Sequence, residues 1–441
     1  MNLSQLEVIW LLGLIFELFA VFIWAFISRR NLIWFTPPIF YGIVIGYYIL
    51  GGTLFFSIQN NFFDRGIDLR DSIVFAIKGG FVSYGSFLIA YFTTFKKFKR
   101  KRYTTLNPFL ALKLGRFMNK LGIFIFFLVA GPSIIYMLNP INLEISNVSG
   151  AIESILGGYG GILGPFANYG GLAINLLIPG NLLIAAFYFK TKKGLIELLI
   201  WFFVSFSIYT TLGFRYRLLI LFLGLINIRA FSKISKVNFL KYTLFFIFLI
   251  FFLGVFGQIR SYGLGLNIGN FSGDFLRVFG GIFSEAKVFF TTGSLISIVP
   301  EQLPYIGLKP LINTILSPLP SYFIENKNTA DYVFQAITAI YGTQERSRGA
   351  SFMNFGEYYY MGGWASVIFC SAVIGALYKF SWKWFYSRKD EILAQVVYSI
   401  NLVFAYVLIS RGSIAQASMI YSFTVLPLIL FYYKLSKRIN Y

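Results

Sequence analysis

The sequence predicts an all-α polytopic membrane protein with about eleven transmembrane helices and one large extracytoplasmic loop containing short helices. Three observations predict it. Hydrophobic residues make up 57% of the 441 and charged residues only 12%, about half the charged share of a soluble domain. So little polar surface cannot cover a water-exposed globule, and lipid must be the solvent for much of the chain. Apolar runs of about 20 residues, the length that crosses a hydrocarbon core of roughly 30 Å, recur from end to end. Lys and Arg gather in alternate connections between those runs, as the positive-inside rule requires.

In chain order the runs fall at 3–27, 33–56, 72–95, 121–138, 170–189, 195–212, 218–228, 240–257, 355–380, 392–409 and 414–433. The first is too long, and too weakly flanked by N-terminal positive charge, for a cleaved signal peptide. The seventh is short and can extend back through Arg215. Arg29 with Arg30, 96–120, 190–193, 229–241, 379–389 and 434–438 hold 25 Lys and Arg; the opposite connections hold 12, and Lys78 is left inside the third run. This asymmetry sets the C-terminus in the cytoplasm, the N-terminus outside, and the long connection 258–352 outside. No repeat and no separate soluble domain is visible, so 1–441 reads as one membrane domain with an outside cap.

Composition also excludes chemistry. The chain has no histidine, which removes His-ligated metals, His general bases and Ser-His or Cys-His nucleophile pairs. Its one cysteine, Cys370, sits in an apolar run, so no disulfide forms within the chain. The net charge of +21 suggests nucleic acid, but the basic run KKFKRKR (96–102) lies on the cytoplasmic side with no aromatic-interleaved fold around it. It is a topology anchor that attracts anionic lipid, and nucleic acid is not an expected partner.

Two outside connections have texture. GGYGGILGPFANYGG (157–171) lacks the GK[ST] ending of a phosphate-binding P-loop. It reads as a flexible surface or re-entrant loop, or as a lid offering Tyr159 and Tyr169 to a sugar. Within the long connection of 95 residues, Phe275, Phe279, Ile282, Phe283, Phe289 and Phe290 recur at helical spacing. They predict helices lying on the membrane surface or on the bundle. Pro300, Pro304, Pro310, Pro318 and Pro320 then break the chain, and Asn328 can cap a helix whose N3 residue is Asp331.

A charge at bilayer depth costs about 2.5–3.5 kcal/mol, so charges in or beside spans are functional candidates. Arg215, Arg217, Arg260, Arg346, Arg348 and Arg411 all fall on the side poorer in positive charge. Forked guanidinium donors suit phosphate, and converging arginines would hold a phosphorylated lipid head group. Alternatively, each snorkels to lipid or pairs with Asp and Glu of the loop. Glu357 lies one turn into the ninth span. Burial alone favours its neutral form, whereas nearby arginines would hold it ionised, as a proton acceptor or as an anchor for an arginine. Asp274 and Asp331 are lesser candidates. Glu17, in the first span, is expected to form a structural pair with Lys78. Tyr358, Tyr359, Tyr360 and Trp364 read as an interfacial aromatic belt, or as weaker sugar-stacking faces.

In this arrangement of spans, with one late outside loop bounded by arginine motifs, the chain resembles the Wzy-type oligosaccharide repeat-unit polymerases, which include the O-antigen polymerases. The carrying stretches are GFRYRLLILF (213–222), QIRSYG (258–263), GLKPLINTILSPLPSYFIENKNTADY (307–332), GASFMNFGEYYYMGGWASVIFCSAVIGAL (349–377) and SRGS (410–413). The resemblance covers the architecture of most of the chain and the motifs of about a fifth of it. No single motif is specific; their order and placement together carry it.

The resemblance implies a GT-C-like, metal-independent, inverting glycosyltransferase of the bacterial cytoplasmic membrane that needs no cofactor. It would join oligosaccharide units carried on undecaprenyl pyrophosphate at the outer face, beside a flippase and a chain-length regulator protein. Arg215, Arg217, Arg260, Arg346 and Arg411 would bind pyrophosphate, and Arg260, Arg348 and Glu357 would act in catalysis. Tyr358, Tyr359 and Tyr169 would touch sugar. The related ligases usually carry a loop histidine that this chain lacks. The other readings are a ligase-like transferase or a transporter or flippase of a lipid-linked or anionic saccharide. A transporter would be expected to show internal repeats.

Overall fold

The computed structural model describes residues 4–28, 32–94, 107–131, 134, 138, 167–212, 215–232, 251, 254–255, 260–261, 265–266, 282–319, 331–342 and 350–438. In chain order they form α1 (Gln5–Ile27), α2 (Pro37–Gln59), α3 (Arg70–Thr93), α4 (Pro108–Ala130), α5 (Gly170–Thr191), α6 (Leu195–Thr211) and α7 (Arg215–Ser232). The long connection contributes α8 (Val288–Ile298), α9 (Lys309–Leu316) and α10 (Asp331–Tyr341). The chain then returns as α11 (Asn354–Tyr386), α12 (Ile392–Ser410) and α13 (Ile414–Arg438). Strands among the described residues are two-residue pairs, β1 (Phe63–Asp64) with β2 (Ile67–Asp68), and β3 (Arg260–Ser261) with β4 (Gly265–Leu266).

The protein is therefore an all-α polytopic membrane protein. Among the described residues seven helices are long and apolar enough to cross a membrane: α1, α2, α3, α5, α11, α12 and α13. The other four expected spans fare differently. Run 121–138 is largely the end of α4, whose first half carries Lys113, Arg116 and Lys120. Runs 195–212 and 218–228 are α6 and α7, of 17 and 18 residues. Run 240–257 lies outside the described residues apart from Phe251, Gly254 and Val255.

Local chemistry starts the helices where the sequence changes character. Ser4 caps α1: its hydroxyl accepts from the Glu7 N–H at 3.3 Å, and the Glu7 carboxylate accepts from the Ser4 N–H at 2.7 Å, a reciprocal capping box. Asn107 caps α4 ahead of Pro108, whose fixed φ suits the first turn. α1 is apolar all round but buried on one side only. It exposes Phe16 (72%) and Phe26 (78%) to lipid. α5 and α12 are buried on nearly all sides, as an all-round apolar helix in the middle of a bundle should be.

Contacts fix the directions. Trp10 packs on Phe81, Glu17 on Gly85 and Trp24 on Phe92, so α1 and α3 run parallel and in step. Gly115 meets Gly180 and Gly122 meets Ala173, so α4 and α5 are antiparallel. Phe231, at the end of α7, lies 5.9 Å from Tyr398, near the start of α12, and the two helices pack along each other, so α7 is antiparallel to α12. Two large apolar cores result, with a smaller third around Phe35, Phe231, Phe385 and Tyr398. One gathers α4 to α7 with α12 and α13, the other α1 to α3 with α8, α10 and α11. The β1–β2 hairpin, α8, α9 and α10 sit at the end of the bundle where α3 begins. We call it the capped end.

α8 rests on the bundle. It is buried from Phe289 to Ile296 between α3 and α11, with the Ser294 hydroxyl donating to Ser72 at 3.0 Å. α9 is the amphipathic member, exposing Ile312 (54%) and Ile315 (75%) while Ser317 meets Ser418 of α13 at 3.1 Å. α2 is π-helical over Gly46–Gly51. Within that stretch the Tyr47 hydroxyl donates to the Ile282 carbonyl, and the Tyr48 hydroxyl donates to that of Tyr406 at 3.1 Å.

α11 is not one straight span. Its backbone leaves helical geometry at Gly362 and Gly363, the latter at φ +69°, a conformation that costs any other residue strain. Beyond the break, Ser371 pairs with Ser83 and Gly375 packs on Phe87, so 364–386 descends in step with α3. Before it, Phe355 lies on Gly79, and nine residues later Trp364 lies over Lys78. Residues 354–361 therefore make no progress along the bundle; they lie across it, buried throughout.

Candidate functional site

Glu357 sits on this crosswise half-helix and is fully buried. One carboxylate oxygen accepts the Tyr332 hydroxyl of α10, and the other accepts the Ile414 N–H at 2.9 Å. Ile414 opens α13, so its N–H has no partner within the helix, and a carboxylate at a helix start also meets the positive end of the dipole. Glu357 thus caps α13 from another helix. Burial first, and the carboxylate beside it second, hold the Tyr332 hydroxyl well above the ordinary phenol range, so tyrosine is the donor and glutamate the acceptor. One turn earlier, Asn354 donates to the hydroxyls of Tyr41 at 3.0 Å and Tyr358 at 3.4 Å. The turn before α13 is tight: the Phe352 carbonyl leaves no room for a Cβ at Gly412.

The arginines divide. Arg217 is buried (3%) at the start of α7, its guanidinium 5.8 Å from the Tyr209 ring centre and 5.5 Å from that of Tyr216. Arg411 ends α12, 35% exposed, 3.9 Å from the Glu285 carboxylate. Because α7 and α12 run antiparallel with Phe231 beside Tyr398, fourteen residues back along one and thirteen on along the other bring Arg217 and Arg411 to the same end. Arg215 opens α7 and Arg260 lies in β3, but their side chains are outside the described residues, as are Arg346, Arg348, Asp274 and Tyr159 altogether. Tyr169 and Asp331 lie in helices, with their side chains likewise outside. The 96–102 basic run, most of the 157–171 loop and the Asn328 cap also fall there.

Tyr358 and Tyr360 are buried inside the bundle, and Tyr359 (9% exposed) packs edge-on against Trp364 at 5.0 Å. These tyrosines face protein. The expected Glu17–Lys78 pair does not form. The parallel register sets Glu17 opposite Gly85, seven residues or about 10 Å along the axis from Lys78. One Glu17 oxygen has no hydrogen-bond partner. Lys78 instead lies over two indoles, 5.6 Å from Trp10 and 4.4 Å from Trp364. Such contacts contribute about 0.5–2 kcal/mol each and offset part of the cost of a cation at this depth.

Sequence reading missed the carboxylates that organise the capped end. Glu7 takes both forks of Arg70, one of them at 2.9 Å. Asp64 accepts the Tyr341 hydroxyl at 2.6 Å and has Lys287 and Arg65 each at 3.7 Å. The one available signal was position, since each acid sits where a span meets its outer connection. Beside them opens a cleft of about 330 Å³, lined by Asp68, Asp71, Phe75, Ser297, Gln302 and Ile340 among others. Among the described residues no group of three or more His, Cys, Asp or Glu is placed to hold a metal ion.

Fold and site define a polytopic α-helical membrane protein with a capped, charge-bearing end. No family model, no curated protein and no solved structure matches the chain.

Proposed function

We propose that the protein is a GT-C-like membrane glycosyltransferase, crossing the bacterial cytoplasmic membrane eleven times. It polymerises undecaprenyl-pyrophosphate-linked oligosaccharide units at the outer face and releases undecaprenyl pyrophosphate. The observation that carries this reading is that Arg217 and Arg411 lie at the same end of the bundle, on two helices that pack together. Guanidinium groups at that end suit a pyrophosphate leaving group. The acceptor hydroxyl oxygen bonds to C1 of the donor sugar as the C1–O bond to pyrophosphate breaks. Negative charge gathers on the departing oxygen, where fixed arginines act most strongly. The hydroxyl proton leaves to the pyrophosphate or to water. Attack opposite the leaving group inverts C1.

Glu357 enters this scheme as a positioning residue. Its oxygens are taken by Tyr332 and Ile414, and it holds the turn that carries Arg411. Purified protein given its own undecaprenyl-pyrophosphate-linked repeat unit, with EDTA present, is expected to yield a glycan ladder on a gel. Arg217→Ala or Arg411→Ala should lower polymer by about a hundredfold at unchanged expression, and lysine should rescue only in part. Wild-type chain lengths in these variants would remove the phosphate site, and the same test applies to Arg215 and Arg260. One observation favours a second reading, a flippase: the broken helix α11 is a device transporters use. No ladder, together with lipid-linked saccharide crossing liposomes, would establish that reading instead.

A further inference from the structure

A reaction between two lipid-linked units needs two head-group sites, and the arginine end supplies one. Lys78 marks another. It lies eight residues past Arg70, about 12 Å along α3, half-buried in an apolar span. Among the described residues no carboxylate is within ion-pair distance of its ammonium; its partners are the faces of Trp10 and Trp364. Both indoles are themselves partly open. The flank beside it is formed by the break at Gly362 and Gly363, where the Tyr305 hydroxyl sits.

The same face of α3 continues toward the capped end. Asp71, Phe75 and Lys78 follow at the spacing that stacks residues on one side of a helix. Asp71 and Phe75 line the cleft of about 330 Å³, which also offers Asp68, Ser297 and Gln302. Phe75 is 36% exposed there. Carboxylates, a hydroxyl and an amide around an aromatic ring are groups that accept and stack sugar. An ammonium between indoles one turn deeper is a group that accepts phosphate. The order, sugar groups outside and cation nearer the membrane centre, is the order of sugar, phosphate and acyl chain in a glycosylated lipid phosphate.

We propose that this face of α3, with Trp10 and Trp364, binds the head group of a lipid-linked saccharide, phosphate on Lys78 and sugar in the Asp68–Asp71–Gln302 cleft. The site deepens the polymerase reading, since it seats the second lipid-linked unit. Binding tests it separately from activity. Full-length protein in detergent is titrated with radiolabelled polyprenyl-pyrophosphate disaccharide, and competed with inorganic pyrophosphate, polyprenyl alcohol or free disaccharide.

Wild type is expected to bind two equivalents. Lys78→Met should lose one, or weaken it at least tenfold, with Lys78→Arg retaining it. Asp71→Asn should weaken the glycan-bearing ligand and leave bare polyprenyl pyrophosphate unchanged. Trp364→Phe, which keeps the packing, gives an intermediate loss if Lys78→Met fails to fold. Unchanged stoichiometry in Lys78→Met and Trp364→Phe, or no binding by wild type, overturns the site. Equal competition by inorganic pyrophosphate overturns its lipid character. Loss of binding in Lys78→Met without any ladder from wild type would keep the site and sink the polymerase, and a ladder with unchanged binding would do the reverse.

Discussion

The two halves of α11 fall in one expected span of the sequence, 355–380, and are two different objects in the molecule. Residues 354–361 lie across the bundle with every side chain buried, and carry Asn354 and Glu357. Residues 364–386 run along it and give Phe369 (67% exposed) and Leu377 (58%) to lipid. The first half is held by buried polar bonds to α2, α10 and α13; the second packs along α3 and α12, with Ser371 paired to Ser83 and the Tyr378 hydroxyl donating to the Asn401 carbonyl. Apolar composition measures what a residue avoids, which is water. It does not say whether protein or lipid takes water's place.

Three substitutions sharpen the contrast, each read as a thermal unfolding midpoint in detergent. Glu357→Ala should be the most damaging. It leaves the Tyr332 hydroxyl and the Ile414 N–H buried without an acceptor, at about 1–3 kcal/mol for each. A loss no larger than that of a surface change would show that the cap on α13 is not needed. Gly363→Ala should cost about 1–3 kcal/mol, because φ +69° with ψ −158° is backbone that essentially only glycine adopts. A stabilised Gly363→Ala would mean that α11 straightens. Phe369→Ala, on the lipid-facing half, should stay within about 0.5 kcal/mol. A drop of several degrees there would erase the distinction between the halves.

The membrane class and most span boundaries were legible because both follow from hydrocarbon thickness and helix rise, which the chain states directly. α1, α2, α3, α5, α12 and α13 appear within a few residues of the expected runs. The crosswise half-helix was not legible: 354–361 is richer in tyrosine and polar groups than the span it precedes, but composition gives a helix no direction. Only a pairing such as Phe355 with Gly79 reveals its direction. Register was equally hidden. Glu17 and Lys78 were matched as the opposite charges left in neighbouring spans, but the parallel packing of Trp10 on Phe81 sets them two turns apart. Arg217 and Arg411 were grouped by sidedness alone, and the antiparallel α7–α12 contact brings them to one end. The acids that tie the capped end together, Glu7, Asp64 and Glu285, were overlooked because acids beside a span look like ordinary loop residues.

The π-helical stretch Gly46–Gly51 has a consequence for descent. A π turn is an α-helix with one residue too many. Tyr47 and Tyr48 stand next to each other in the chain, yet one reaches Ile282 and the other Tyr406. A deletion in the ordinary winding of α2 turns everything beyond it by about 100°, whereas deleting one residue of the π stretch restores ordinary winding and leaves what lies beyond nearly in phase, because the wide turn holds its extra residue within one revolution. One of the two tyrosines would then miss its mark. Among single-residue deletions across α2, those between Gly46 and Gly51 should be the easiest for a lineage to accept, since the rest of the span keeps its faces and the loss falls on one tyrosine contact.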